Sequence, residues 1–334
     1  MFTADDLLAR GHLALDWAAG LVEGDAGFRG AGTHINAYYK SVVAFTTGGR
    51  VREARLLADH VRRVYWKDGN ANTHPDDPTA KGLANYRSAW LGRGLHVLGR
   101  YDMARATGDF VVGQMHPETG GLAALPNVPE AEREYCWGST GSAVLALLAM
   151  GRVADAARGG GFIADLIDEQ NVTTGKIYLR RGADGQIIRD DRREGLALGY
   201  AIDIGTPGQI YWYLGMAMNV FGNLYLATGD DRWREAGYKA FALFKACADD
   251  VYRIISNGKV AWGLGAMYAA TKDPQFAEEA QKVWAWHYEI QSPDGRWLRV
   301  GQFDSFDDQP LHVTLDTTLE RAFYMFELSR TLDI

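Results

Sequence analysis

Only two cysteines, Cys136 and Cys247, occur among 334 residues, a scarcity that excludes a disulfide framework and fits a reducing compartment. Proline is sparse too, at nine residues, and no Pro/Gly/Ser-rich stretch or block of like charge divides the chain. A single domain spanning 1–334 is therefore expected. No apolar run is long enough to span a bilayer. Runs of Lys or Arg are missing as well: 42 acidic residues against 35 basic ones give a formal charge of −7, which offers no footprint for nucleic acid or an anionic membrane. The first twenty residues, MFTADDLLARGHLALDWAAG, carry acids where a secretory leader carries bases, so a cytoplasmic location is expected. No Gly-x-Gly-x-x-Gly follows a strand, and there is no P-loop, His-Glu-x-x-His or Cys-x-x-Cys. Neither a cofactor nor a metal is implied.

What the chain has in quantity is aromatic residues (ten Trp, sixteen Tyr, thirteen Phe) and an internal repeat. The repeating unit is an aromatic-rich helix, a short Gly-containing turn, a second amphipathic helix and a Gly-pair or Asp-Gly loop. Residues 38–45, Gly48-Gly49-Arg50 and 51–64 make one unit; 86–98, Gly99-Arg100 and 103–114 make the next. The third is 135–150, Gly151-Arg152 and 153–170, and the fourth is 209–228, Gly229-Asp230-Asp231 and 233–251. A fifth runs from Lys259 through Asp273-Pro274 to Ile290, and the last helix, 311–332, pairs with the first, 3–19. Turns this short force antiparallel neighbours. Twelve helices in six pairs predict an all-α fold, an (α/α)6 toroid that closes to bury the apolar faces an open stack leaves bare. One stretch departs from the pattern: Lys176 to Arg180 and Gln186 to Ile188 alternate around Asp184-Gly185, which predicts a β-hairpin insertion placed as a flap.

The first helix of each pair is expected to be the inner one, because glycines such as Gly94, Gly138, Gly215 and Gly263 lower helix propensity unless close packing requires them. The starts of those inner helices then converge on one mouth of a central cavity. They carry His34, Asn36, Tyr38, Tyr39 and Lys40; Tyr86, Arg87 and Trp90; Cys136 and Trp137; Tyr211; Lys259 and Trp262; His312, Thr314 and Asp316. His34 follows Gly30-Ala31-Gly32 and opens an inner helix, a position suited to a general acid or base. Most acids at helix starts are caps. Asp203 and Asp316 are the least cap-like, set among apolar neighbours where burial raises a carboxyl toward a proton-donating role.

Gln291-Ser292-Pro293-Asp294-Gly295-Arg296-Trp297 carries the pattern Q-x-x-x-G-x-W, with partial echoes at 114–122 and 170–178. In this structural motif, and in its helix-pair repeat, the chain resembles the α/α-toroid superfamily of terpenoid cyclases and protein prenyltransferases. The D-x-D-D of squalene–hopene-type cyclases and a prenyltransferase zinc triad are absent. Tyr135-Cys136 and the hairpin after Tyr178 resemble linalool dehydratase-isomerase, a resemblance that implies cofactor-free chemistry with acid/base residues and cysteines at inner-helix starts. Tyr86-Arg87-Ser88-Ala89-Trp90-Leu91 is similar to segments of unsaturated glucuronyl hydrolases and sugar epimerases, which implies Asp, His and Arg above an aromatic floor.

The leading expectation is a cofactor-independent enzyme doing acid/base chemistry, a cyclisation, isomerisation or dehydration, on a small, largely apolar unsaturated metabolite. Tyr38, Trp90, Trp137, Tyr211 and Trp262 would wall the substrate with Tyr86, Arg87 and Cys136, while His34, Asp203 or Asp316 exchange protons. A glycoside hydrolase of the unsaturated-uronide type or a sugar epimerase is the alternative, its aromatics stacking on pyranose faces. A non-catalytic binding toroid is the third. The partner in each case is a small molecule, and a homo-oligomer is compatible with the sequence.

Overall fold

Thr3 sets the start of the first helix. Its hydroxyl accepts the Asp6 N–H while the Asp6 carboxylate accepts the Thr3 N–H, a capping box that opens α1 (Ala4–Ala19). The computed structural model describes residues 2–24, 26–77, 82–193 and 198–332. These pack as two compact units, one built from Phe2–Gly113 with Glu289–Ile334 and the other from Gln114–Tyr288.

The first unit contains α1, α2 (Ser41–Thr47), α3 (Val51–Val64), α4 (Ala84–Val97), α5 (Tyr101–Gly113) and the long α12 (Leu311–Thr331). Helices α12, α2 and α4 lie side by side, with α1 on α12, α3 on α2 and α5 on α4. The expected pairing of the last helix with the first is therefore present. Gly94 explains how closely α4 meets α2, since a Cβ there would sit 2.8 Å from the Val43 amide nitrogen. The Q-x-x-x-G-x-W segment ties the chain to α1: the Gln291 side-chain amide donates to the carbonyls of Arg10 and Gly295, and Trp297 is fully buried. Gly295 has φ +93°, and a Cβ on it would lie 2.6 Å from the Leu13 carbonyl oxygen, so the motif needs glycine on two counts.

The second unit contains α6 (Trp137–Ala149), α7 (Val153–Gln170), α8 (Trp212–Thr228), α9 (Asp231–Lys245), α10 (Gly258–Thr271) and α11 (Pro274–Glu289). Helix α8 packs between α6 and α10, and all three are buried over most of their length. Helices α7 and α9 cover them with amphipathic faces, and Phe276 of α11 meets Tyr238 and Phe241 of α9. A Cβ on Gly263 would collide with the Gly215 carbonyl, which is why α8 and α10 carry glycine where they touch.

Twelve helices appear among the described residues, and the predicted bounds of α3 and α7 match those observed. Three local readings are corrected. The helix predicted at 38–45 begins only at Ser41, after a 3-10 turn at Ile35–Ala37, and Lys40 occupies the junction. The helix predicted over 233–251 stops at Lys245, because Asp249–Tyr252 and Ile255–Asn257 form 3-10 turns. The third correction concerns the insertion. The hairpin around Asp184-Gly185 is present, with Gly182 bonded to Gln186, Arg181 bridged to Ile187 and the Ile188 N–H donated to the Arg180 carbonyl, but it is shorter than expected, and the residues before Arg180 pair elsewhere. β2 (Gly175–Tyr178) pairs with β4 (Ala201–Ile204), and β3 (Arg180–Arg181) pairs with β1 (Tyr135–Cys136), both antiparallel. Because the Trp137 N–H also donates to the Leu179 carbonyl, this segment is anchored to the start of α6 and is no free-standing flap. Among the described residues no helix is long and apolar enough to cross a membrane.

Candidate functional site

A polar residue recurs at every fourth position of α12: His312, Asp316, Glu320 and Tyr324. Residues four apart share one helix face, so a single stripe carries two carboxylates with an imidazole at its N-terminal end. Asp316 and Glu320 are each only 7% exposed, and two unpaired carboxylates at that burial would be strongly destabilising. Lys40 meets both. From the junction before α2 its Nζ lies 2.9 Å from Asp316 Oδ1 and 2.5 Å from Glu320 Oε1. Arg299 closes the other side, with Nη2 donating to Asp316 Oδ2 at 2.7 Å and Nε to Thr317 Oγ1 at 2.7 Å. Arg321 Nη1 donates to the Thr317 carbonyl and stands 3.7 Å from Glu320 Oε2.

Gln309 braces this arrangement. Its Oε1 accepts the Arg299 N–H at 2.7 Å, and its Nε2 donates to the Trp297 carbonyl and Thr314 Oγ1. Tyr39 lies beside Lys40, whose ammonium sits 4.8 Å from the ring centroid, and its phenol is near enough to Asp316 for that carboxylate to disfavour its ionisation. Tyr86 meets Tyr39 edge to face, and Trp90 packs against Tyr86 and edge-on against Phe323.

The ionisation of the cluster follows from burial opposed by charge. Burial disfavours the Asp316 carboxylate, but the Lys40 and Arg299 charges outweigh it and hold the group below the usual carboxylate range. This corrects the expectation that burial lifts Asp316 toward a proton donor. Burial likewise favours a neutral Lys40, and Asp316 and Glu320 more than offset it, so the ammonium is held above its ordinary value. Burial pushes the phenols of Tyr39, Tyr86 and Tyr324 up.

His34 precedes the 3-10 turn, and its ring stacks on that of His312 with centroids 3.7 Å apart and planes 7° from parallel. Burial, and then the neighbouring His34, bring His312 down to about 4, so at neutral pH its imidazole is uncharged. The Nδ1 of His34 is buried and has no hydrogen-bond partner. Asp77 braces the turn by accepting the Ile35 N–H at 3.3 Å. On α4, Arg87 Nε donates to Asn36 Oδ1 at 2.8 Å. Among the described residues no group of three or more His, Cys, Asp or Glu side chains is placed to hold a metal ion.

The structure thus gathers His34, Asp316, Tyr86, Arg87 and Trp90 in one unit. Tyr38 faces away from them: its hydroxyl accepts the Phe28 N–H, and its ring packs among Phe28, His60 and Tyr65. The remaining candidates belong to the unit Gln114–Tyr288. There Trp137 is fully buried, and Cys136 Sγ lies 3.9 Å from the Tyr213 hydroxyl. Tyr211 donates to Asp250 at 2.7 Å, and the Trp262 carbonyl accepts from Asn219. Asp203 sits in β4 opposite Lys176, half-buried, with its N–H donated to Gln209. Sequence reasoning missed Glu320, Arg299 and Arg321. The four-residue spacing from His312 to Tyr324 was a usable signal for Glu320; the two arginines had none.

No protein-family model matches the chain, and no curated protein matches it in sequence. Solved structures do match. A D-mannose isomerase superposes with a TM-score of 0.72 at 12% identity, over 98% of this chain and 97% of that one. A cellobiose 2-epimerase from Bacillus thermoamylovorans gives 0.70 at 13% identity, over 98% and 100%. The family 76 α-mannanase BT2949 of Bacteroides thetaiotaomicron gives 0.68 at 11% identity, over 97% and 96%. The chain shares its fold with carbohydrate enzymes. That fold is of the all-α (α/α)6 class with a β-hairpin insertion that the sequence predicts, and two short strand pairings accompany the hairpin.

Proposed function

We propose that this protein is an acid/base enzyme acting on a sugar, an isomerase or epimerase that moves a proton on or off a carbon next to a carbonyl. The observation that carries this reading is the stacked His34–His312 pair, with His312 uncharged at neutral pH, next to a carboxylate locked in its ionised form. A neutral imidazole accepts a proton; a carboxylate bonded on both sides to cations does not give one. In the proposed step His312 removes the proton, the electron pair moves onto the carbonyl oxygen as an enediolate, and the imidazolium is paired electrostatically with Asp316. Delivery of a proton, exchanged with solvent at the imidazolium, to the former carbonyl carbon, while the neighbouring hydroxyl gives its proton to the former carbonyl oxygen, completes an isomerisation; delivery to the opposite face of the same carbon completes an epimerisation. In this scheme His34 relays that proton, a role supported by the stacking of the two rings at 3.7 Å, which do not both carry charge at low cost.

Glycoside hydrolysis, also represented among the fold neighbours, needs one protonated carboxyl facing a second carboxylate. Asp316 is held in the opposite state, and Glu320 shares the Lys40 ammonium with it. An apolar substrate finds less support still, because this cluster is charged and Tyr38 and Tyr211 bond elsewhere. Incubating the protein with a panel of aldoses and ketoses and resolving the products by chromatography tests the reading. The expected result is isomer or epimer formation that falls at least about 100-fold in His312→Gln, the scale of one general acid/base group. Release of sugar from mannosides with no isomer formed would replace this reading with hydrolysis.

A further inference from the structure

Arg87 is built into the same cluster but has no task in the reaction just described. It is only partly exposed, and among the described residues its one hydrogen bond is the Nε contact to Asn36. Its Nη1 is buried and unpartnered. A guanidinium presents its donors in a rigid planar fork, so with Nε fixed on Asn36 the Nη1–Nη2 edge is aimed and left without an acceptor.

Charge bookkeeping around it agrees. Three cations, Lys40, Arg299 and Arg321, surround the two carboxylates Asp316 and Glu320, so the cluster is short of negative charge before Arg87 is counted, and Asp77 lies on the His312 side. No carboxylate of the described residues forms an ion pair with Arg87, although Arg87 is close enough to Tyr39 for its charge to favour the ionised phenol. A second buried donor or acceptor, His34 Nδ1, is also unpartnered, two residues from the asparagine that fixes Arg87. One of these atoms belongs to the residue that opens the 3-10 turn and the other to an arginine bonded to that turn, so a single bound group can satisfy both.

We propose that Arg87 anchors a carboxylate on the substrate, so that the sugar handled here is an acid of the uronate or aldonate type. A planar carboxylate accepts two parallel N–H bonds from the Nη1–Nη2 edge, and it supplies negative charge to a cluster in which cations outnumber carboxylates. A phosphate would satisfy the charge but not the planar match, and a neutral hydroxyl would satisfy neither. Asn36 is a positioning residue in this scheme, holding the fork through Nε. The inference rests on the sugar reading above and deepens it.

Calorimetric titration of the protein with D-glucuronate and D-mannuronate, and in parallel with D-glucose, D-mannose and D-mannose 6-phosphate, tests it. The acids are expected to bind about 10- to 100-fold more tightly than the neutral sugars, the range for hydrogen bonds to a charged group. Arg87→Gln is expected to erase that preference while leaving the weak binding of neutral sugars, and Asn36→Ala to reduce it in a chain whose arginine is intact. Arg87→Lys, which keeps the charge but not the fork, is expected to recover only part. Equal affinity for acids and neutral sugars, a preference that survives Arg87→Gln, or tighter binding of the phosphate ester overturns the proposal. The product assay separates the two ideas: isomerised neutral sugars without acid preference leave the reaction standing and remove the carboxylate anchor. Arg87-dependent binding of uronates without turnover does the reverse.

Discussion

His312 is the residue on which the chemistry turns, and its environment makes a claim that does not depend on substrate. Its folded-state value of about 4 lies below the ordinary 6.5, so the folded chain binds this proton less readily than the unfolded chain does. The stabilisation this gives is complete above about 6.5 and is lost as pH falls through about 4. His312→Phe keeps a flat ring against His34 and removes the proton. Urea midpoints measured from pH 7 to pH 4 are expected to fall less for the variant than for the wild type; parallel curves would show that His312 is not held neutral. At this scale His34 and Asp316 were singled out by the sequence, His34 by the glycines ahead of it and Asp316 by its apolar neighbours, although His34 opens a 3-10 turn and not the helix expected there. The charge state of Asp316 was not. An apolar sequence neighbourhood predicts a raised carboxyl, and only the fold brings Lys40 and Arg299, from segments far away in sequence, to opposite oxygens of that carboxylate.

Among the elements, α12 and the junction before α2 act as a pair, joined by the two ion pairs of Lys40. A buried ion pair adds little net stability over an apolar one, but removing a single partner strands the other charges. Lys40→Met is therefore expected to cost about 3–5 kcal/mol in denaturant unfolding, and Lys40→Met with Glu320→Leu to recover much of it. A loss under about 1 kcal/mol for the single variant would mean that Arg299 and Arg321 suffice to hold both carboxylates. The same junction marks where element boundaries stopped being readable. The bounds of α3 and α7 follow from amphipathic runs behind Gly-Arg turns, which are local signals. The late start of α2 follows from a 3-10 turn braced by Asp77 and from Lys40 turning toward α12, which are tertiary ones. The strands behaved likewise: the Asp184-Gly185 turn was visible locally, while β3 finds its partner some forty residues upstream at Tyr135–Cys136.

On the scale of the whole molecule, the helix-pair repeat foretold the fold class, and the likeness to sugar isomerases, epimerases and mannanases extends over nearly the full chain. Fold alone does not choose among those activities. The proposed chemistry belongs to one unit, Phe2–Gly113 with Glu289–Ile334, where the imidazole pair, the clamped Asp316 and Arg87 occur together. The candidates placed in Gln114–Tyr288, Asp203 and Cys136 among them, take no part in the proposed step. The most direct measurement is nuclear magnetic resonance of a sugar turned over in deuterium oxide. The account predicts that the product carries solvent deuterium at the carbon beside the carbonyl, and that His312→Gln and His34→Gln both suppress its appearance. Product formed at wild-type rate by either variant, or deuterium incorporation undiminished in both, would contradict proton transfer through this histidine pair.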